Sequence, residues 1–116
     1  MSFNNNVTLG ELIEFLANLD QNLFFKRGFR YPHSYRGYYE DLAFEPAKFS
    51  QVREMLAQAN GAMGKTFTGY KGGEYVMDKN TATWIAEHGS SGEALTRLWL
   101  EAEAELALLQ GENSDA

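Results

Sequence analysis

The firmest constraint on the fold is a helix start encoded in residues 8–11. Thr8 and Glu11 stand at the spacing of a capping box, in which the Thr hydroxyl and the Glu carboxylate each bind a backbone amide of the first helical turn. Apolar residues then follow at intervals of three and four, namely Leu9, Leu12, Ile13, Leu16 and Leu19. This pattern predicts an amphipathic helix over residues 8–19.

The middle of the chain carries strand signals around a second helix. Stretches rich in aromatic or β-branched residues that end at turn residues predict strands at residues 23–25, 38–44, 74–77 and 81–87. Tyr31-Pro32 and Arg36-Gly37 predict an irregular, exposed segment between the first two strands. Ser50 precedes helical spacing over residues 51–60, which predicts a second helix capped by Ser50. Asp78-Lys79-Asn80 predicts a turn.

The segment at residues 94–110 fits two structures. Its Leu, Ala and Glu content favours a helix by propensity. Over residues 97–106 its apolar residues also alternate strictly with polar residues and Trp99, which is a strand period and would give a hairpin turning near residues 101–104. The residues alone leave both structures open. We predict one α+β ligand-binding domain over residues 1–110 and a flexible polar tail over residues 111–116.

Composition excludes several classes of protein. The chain has no cysteine, which excludes a disulfide scaffold, a thiolate zinc site and a cysteine nucleophile. With 16 acidic and 10 basic residues its net charge is -6, which argues against non-specific binding of duplex DNA. No apolar run of about 18 residues predicts a membrane span, and the N-terminal residues show no secretory signal. We therefore expect a protein of a reducing compartment that binds neither membranes nor duplex nucleic acid.

The charge is unevenly distributed along the sequence. Residues 21–39 contain four basic residues, seven aromatic residues and no acid, whereas residues 87–116 contain seven acids and only Arg97 as a basic residue. Interleaved arginines and aromatic rings suit a nucleotide site, because guanidinium groups pair with phosphates and rings stack on bases. The same composition also occurs in an ordinary sheet with a solvated basic face. Both interpretations stay open on composition alone.

Motifs for catalysis or metal binding are weak. Residues 59–66 match a loose phosphate-binding loop, but a predicted helix precedes it where the mechanism needs a strand. His33 and His88 have no ligand-forming neighbours at suitable spacing, and the adjacent Glu40 and Asp41 would point to opposite faces of a strand. The sequence therefore predicts no catalytic residue, no metal site, no cofactor and no enzymatic activity.

Two stretches combine small residues, aromatic rings and cationic groups, namely residues 34–46 (SYRGYYEDLAFEP) and residues 64–89. Across residues 35–97 they resemble, in order and spacing, the phage-encoded Thoeris anti-defence proteins of the first-described kind. That family captures cyclic ADP-ribose-type messengers made by TIR-domain defence enzymes, and also cyclic oligonucleotides. The resemblance implies an antiparallel β-sheet with two α-helices and favours the C-terminal β-hairpin. It also implies a homodimer or higher homo-oligomer that binds the intact messenger at a subunit interface.

The resemblance implies a set of ligand-binding residues, namely Arg36, Phe67, Tyr70, Asn80 and Arg97. The two arginines would pair with the phosphates of the messenger. Tyr70 or Phe67 would stack on adenine, and Asn80 would hydrogen-bond a base edge. The alternative is that Phe67 belongs to the core and Asn80 merely closes a turn.

The leading hypothesis is a phage anti-defence sponge in the cytoplasm of the infected bacterial host. It would sequester a cyclic ADP-ribose isomer, and also cyclic di- or trinucleotides, without degrading them. A second hypothesis is an oligomeric interaction module that uses the aromatic-rich segment as a protein interface, since Tyr and Arg are also frequent interface residues. A third is a small hydrolase of cyclic nucleotide messengers, although the residues that it requires are not evident.

Overall fold

A computed structural model of the chain describes residues 6–34, 41–68, 74–87 and 92–114. The helices are α1 (Leu9–Ala17), α2 (Val52–Ala62) and α3 (Arg97–Ser114). The strands are β1 (Phe24–Ser34), β2 (Leu42–Gln51), β3 (Thr66–Thr68), β4 (Glu74–Val76), β5 (Thr83–Ile85) and β6 (Glu93–Ala94). The predicted α+β class is confirmed.

Four strands form one sheet in the order β1-β2-β5-β6. β1 and β2 pair antiparallel from Phe24 opposite Gln51 to Ser34 opposite Leu42. β5 pairs parallel with β2 and antiparallel with β6. The sheet is therefore mostly antiparallel, with one parallel pair. β3 and β4 form a separate antiparallel hairpin.

All three helices contribute to one cluster of buried apolar side chains. Leu12 of α1, Met55 of α2, Phe29 of β1 and Leu100 of α3 are at most 1% exposed and belong to this cluster. The rings of Phe29 and Phe44 approach with their centroids 4.6 Å apart, which joins β1 to β2 within the core. The core therefore lies where the helices cover the sheet.

The first two predicted helices are confirmed. Around α1 the Thr8 hydroxyl accepts from the Glu11 amide at 3.2 Å, and the Thr8 amide donates to the Glu11 carboxylate at 2.8 Å. The predicted cap of α2 is wrong, because the residue before α2 is Gln51, whose side chain makes no capping bond. Ser50 lies in β2 instead, and its hydroxyl donates to the Ala47 carbonyl at 2.8 Å.

The expected irregular segment at Tyr31-Pro32 is part of a strand. β1 continues to Ser34, although its register with β2 shifts between Arg30 and Pro32. Tyr31 has no partner in this register and a φ of 51°, while pairing with β2 resumes at Pro32 and continues to Ser34. His33 is buried with Nε2 3.0 Å from the Ala86 carbonyl oxygen. The Arg36-Gly37 part of the expectation lies outside the described residues.

The predicted C-terminal β-hairpin is wrong. Residues 97–114 form α3, a single helix of 18 residues. The residues alone left helix and hairpin open because both faces of this helix carry apolar side chains, and the resemblance favoured the wrong structure. Leu100, Ala104 and Ala107 are buried at helical spacing on one face, while other leucines of α3 are exposed. The fold thus has three helices over the described residues, not the two that were predicted.

The start and end of α3 also differ from the expectation. The Thr96 hydroxyl accepts from the Trp99 amide at 3.0 Å, which is the bond of an N-cap residue. At the other end the helix passes residue 110, where the domain was predicted to end, and continues to Ser114. The residues assigned to the tail therefore begin inside a helix.

Candidate functional site

Two of the five predicted ligand-binding residues, Arg36 and Tyr70, lie outside the described residues. Phe67 lies in β3, where its half-buried ring packs against the core. The Lys65 ammonium is 5.4 Å from the centroid of that ring, within the range of a cation–π contact. Phe67 therefore contributes to the packing of the core and also offers part of its ring to a charged neighbour.

Asn80 lies in the turn between β4 and β5. Its backbone amide donates to the Asp78 carboxylate at 2.8 Å, and the Asp78 amide donates to the Thr81 hydroxyl at 2.9 Å. The adjoining depression of about 430 Å³ is also lined by Asp41 and Glu74. Three carboxylates around one depression repel phosphate, so the surroundings of Asn80 do not favour an anionic ligand.

Arg97 is the first residue of α3 and its side chain is exposed. Its Nε donates to the Glu101 carboxylate at 3.1 Å, one helical turn further on. The guanidinium carbon lies 5.3 Å from the centroid of the Phe15 ring of α1. Arg97 thus contacts a carboxylate and an aromatic ring of its own chain, and an exposed pair of this kind contributes little to stability.

A cleft lies between the β1–β2 hairpin and the start of α3. It has a volume of about 640 Å³, and none of the three described candidates Phe67, Asn80 and Arg97 lines it. Its lining residues are Arg27, Gly28, Pro46, Ala47, Lys48, Ile85, Ala86, Glu87, Gly92, Glu93 and Trp99. Cavities of this size typically hold small organic ligands or cofactors.

Trp99 forms the aromatic side of the cleft. It lies in the first turn of α3, half-buried, and its indole Nε1 donates to the Glu93 carboxylate at 3.0 Å. Its ring centroid is 6.4 Å from that of Phe25 and 6.5 Å from that of Phe29, both buried on β1. The helix start, the hydrogen bond and the two core rings together fix the indole at the edge of the cleft.

Arg27 and Lys48 provide the positive charge of the cleft. They are cross-strand neighbours in the β1–β2 pairing, so their side chains emerge side by side. The Arg27 guanidinium donates to Glu93 at 2.6 Å and lies 5.7 Å from the centroid of the Trp99 ring. Lys48 is exposed and makes no ion pair within the described part of the chain. Arg27 is thus partly neutralised by Glu93, whereas the Lys48 ammonium is available to a ligand.

Two glycines shape the wall of the cleft by allowing close backbone approach. A Cβ at Gly28 would overlap the Ser50 side chain, and a Cβ at Gly92 would overlap the Ile85 carbonyl oxygen. Any larger residue at either position would therefore displace a neighbouring segment. The cleft depends on glycine in both places.

Sequence reasoning missed the lining of this cleft. Arg27 belongs to the basic, aromatic-rich stretch, but it was not singled out from its neighbours. Trp99 was assigned to the polar face of a strand, because the segment around it alternates. The N-cap residue Thr96 was the signal that could have revealed the start of the helix and with it the position of the indole.

Comparison with protein-family models, curated proteins and solved structures gave no match. Among the described residues no three His, Asp or Glu side chains are grouped so as to hold a metal ion. No helix in the described ranges has the length and apolar character needed to span a bilayer.

Proposed function

We propose that the protein binds a cyclic ADP-ribose-type messenger and sequesters it without degrading it. The observation that carries the proposal is the cleft in which the Trp99 ring, the Arg27 guanidinium and the Lys48 ammonium share one cavity of about 640 Å³. An indole can stack on a purine, and paired cations can bind the pyrophosphate. The aromatic and cationic chemistry expected from the sequence is thus available at one place.

The lining of the cleft supports binding without chemistry. Among the described lining residues there is no hydroxyl, thiol or imidazole that could act as a nucleophile. Of the two lining carboxylates, Glu93 already accepts hydrogen bonds from both Arg27 and Trp99. Sequestration further requires a dissociation constant well below the signalling concentration, and a nanomolar constant corresponds to about -12 kcal/mol.

The resemblance supplies the biological part of the proposal. The protein would act as a phage anti-defence sponge in the cytoplasm of the infected bacterial host, as a homodimer or higher homo-oligomer. Cyclic di- or trinucleotides are further candidate ligands. Arg36, Phe67, Tyr70, Asn80 and Arg97 remain predictions from the resemblance, to be tested apart from the cleft.

The deciding experiment mixes the purified full-length protein with a cyclic ADP-ribose isomer, removes the free ligand and then heats the complex. We expect stoichiometric capture, and release of a ligand with unchanged mass and chromatographic retention. A chemically altered ligand would instead indicate a hydrolase. A thermal-shift panel of nucleotides tests the class of ligand, because binding raises the melting temperature when the ligand exceeds its dissociation constant.

A second candidate function is an oligomeric interaction module. The observation that favours it is the exposure of Tyr31 (54%) and Phe49 (61%) on the β1–β2 hairpin. Large exposed aromatic side chains are frequent at protein interfaces. Absence of any thermal shift across the nucleotide panel, together with self-association of the protein, would favour this function over the sponge.

A further inference from the structure

We infer that two surfaces of this chain recognise each other between copies. One is the aromatic patch on the β1–β2 hairpin, formed by Arg30, Tyr31, Lys48 and Phe49. The other is the leucine stripe of α3, formed by Leu98, Ala102, Leu106 and Leu109. The inference specifies the contact of the homo-oligomer included in the proposed function. The patch shares Lys48 with the cleft. The variants that test the contact alter other residues and are measured without nucleotide, so the two proposals can fail separately.

The leucine stripe lies opposite the face by which α3 binds its own sheet. At 100° per residue its four members fall within one third of the helix circumference, while the buried Leu100, Ala104 and Ala107 lie on the other side. Leu98 is 76% exposed, Leu106 43% and Leu109 50%. An apolar row of this kind on a surface helix marks an interaction site.

The packing of α3 prevents the stripe from reaching the patch of its own chain. The buried Glu103 carboxylate accepts from the Arg27 backbone amide at 2.9 Å, which fixes the inner face of the helix on β1. The stripe consequently faces away from the sheet. The described part of the chain leaves the stripe exposed, and we assign its partner to another molecule.

The aromatic patch is built on an unusual backbone. Tyr31 and Phe49 have φ angles of 51° and 55°, in the left-handed region that bulky residues rarely adopt. The Tyr31 amide donates to the Gln58 side chain at 3.3 Å, and the Arg30 guanidinium lies 4.6 Å from the centroid of the Tyr31 ring. Such strain is typical of functional positions. Here it accompanies two rings that are more than half exposed.

The patch also has a concave shape and a positive charge. Its four residues line a depression of about 240 Å³. Arg30 and Lys48 are exposed and make no ion pair within the described ranges of the chain. Glu54 also lines the depression, so the two cations and one acid give its described lining a formal charge of +1. A groove lined by rings and bordered by cations suits an apolar helix with an acidic border.

The border of the leucine stripe has the complementary charge. Glu101 and Glu105 follow one edge of the stripe, and both are exposed. Glu105 makes no ion pair with another described residue, while Glu101 pairs only with the exposed Arg97. Pairing two α3 helices with each other would bring these acids together, whereas the aromatic patch would neutralise them. Charge therefore selects the patch of a second copy as the partner of the stripe.

The test measures the mass of the full-length chain in solution without nucleotide, by sedimentation equilibrium over a range of concentrations. We expect species heavier than the 13.1 kDa monomer. Arg30→Glu and Glu105→Arg should each weaken association at least about tenfold, which corresponds to about 1.4 kcal/mol. Mixing the two variants should restore a mixed assembly, because the acid that replaces Arg30 in one copy then faces the base that replaces Glu105 in the other.

Two further variants separate loss of contact from loss of folding. Phe49→Asn should abolish association and leave the melting temperature unchanged or higher, because Asn adopts the left-handed region more readily than Phe. Glu14→Arg, an equal charge change on the exposed surface of α1, is the matched control and should leave association unchanged.

Several outcomes would overturn the inference. One is a monomer at every concentration. Another is dissociation by Leu98→Ser and Leu109→Ser but not by Arg30→Glu or Phe49→Asn, since α3 would then bind some other surface. Failure of the mixed Arg30→Glu and Glu105→Arg variants to associate would also contradict it.

Discussion

Glu93 controls how much positive charge the cleft can offer. One oxygen of its carboxylate accepts from Arg27 at 2.6 Å and from the Trp99 indole at 3.0 Å. An anionic ligand in the cleft must therefore compete with Glu93 for the Arg27 guanidinium. Because the pair is more than half exposed, this competition is weak, and an exposed pair typically contributes about 1 kcal/mol or less.

The first prediction concerns Glu93→Gln. The amide removes the negative charge but keeps an oxygen that can accept from Trp99, so Arg27 becomes available to phosphate without loss of the indole position. We expect the dissociation constant for a cyclic ADP-ribose isomer to fall about two- to fivefold, measured by calorimetry. Glu14→Gln, which removes an equal charge from the exposed surface of α1 away from the cleft, should change nothing. Weaker binding by Glu93→Gln would show that Arg27 does not contact the ligand.

The second prediction concerns Glu103, a buried acid at the contact between α3 and β1. Its carboxylate accepts from the Arg27 amide at 2.9 Å. Glu103→Leu would bury that amide without a partner, at a cost of about 1–3 kcal/mol in the free energy of unfolding. Glu103→Gln keeps an acceptor and should cost less. Urea unfolding measures both values, and equal stability of the two variants would contradict the assigned role of the hydrogen bond.

At the scale of secondary structure, α3 is a helix whose apolar residues alternate in the sequence as they would in a strand. Because α3 has buried residues on one side and exposed leucines on the other, its apolar positions do not mark a single face. The alternation in the sequence then has two separate causes, since some apolar residues pack against the sheet and others form an apolar outer surface. Local capping is the feature that distinguishes the helix from the strand hairpin.

The third prediction concerns that cap. Thr96→Ala removes the hydroxyl that accepts from the Trp99 amide at 3.0 Å, and should cost about 1 kcal/mol of unfolding free energy. The same change should also loosen the indole in the cleft and weaken ligand binding. Thr8→Ala removes the equivalent bond of α1 and is the matched control, since it should lower stability without changing affinity. Equal effects of both variants on affinity would contradict the link between the α3 cap and the site.

The helices show what local sequence can and cannot predict. α1 and α2 were predictable because each has one apolar face, and α1 also has a capping box with both partners in the sequence. The end of β1 was not predictable, because the strand continues beyond the irregular Tyr31 only through the pairing of residues 32–34 with β2. The C-terminal helix stayed one of two alternatives because its exposed leucines obscure the period of the buried face, and the resemblance favoured the hairpin.

The candidate site is harder to predict than the fold because its residues are distant in sequence. Arg27 and Lys48 become neighbours only through the β1–β2 register, and Ile85 joins them through the parallel pairing of β5 with β2. Trp99 completes the cleft only if its segment is a helix. Composition indicated the chemistry of a nucleotide site, but the register and the helix start determine which residues could provide it.

At the scale of the whole molecule, the uneven distribution of charge along the sequence is also seen in the folded structure. The net charge of -6 argues against broad attraction to nucleic acids, while strands β1 and β2 carry four cations, namely Lys26, Arg27, Arg30 and Lys48. The cleft places Arg27 and Lys48 beside Glu87 and Glu93, so the formal charges of its described lining sum to zero and its attraction for an anion is local. A molecule built this way suits a compact anion better than a long polyanion.

The fourth prediction concerns which basic residues bind the messenger. Arg27→Ala and Lys48→Ala should each raise the dissociation constant at least about tenfold, because each removes a charge-assisted contact of about 1.5–3 kcal/mol. Arg36→Ala and Arg97→Ala, chosen from the resemblance, should also weaken capture with the fold intact. Lys26→Ala, an equal charge change on β1 outside the cleft lining, is the control.

Calorimetry and circular dichroism on all five variants separate the possibilities. Binding lost only in the first pair would contradict the residues taken from the resemblance, and binding lost only in the second pair would contradict the cleft.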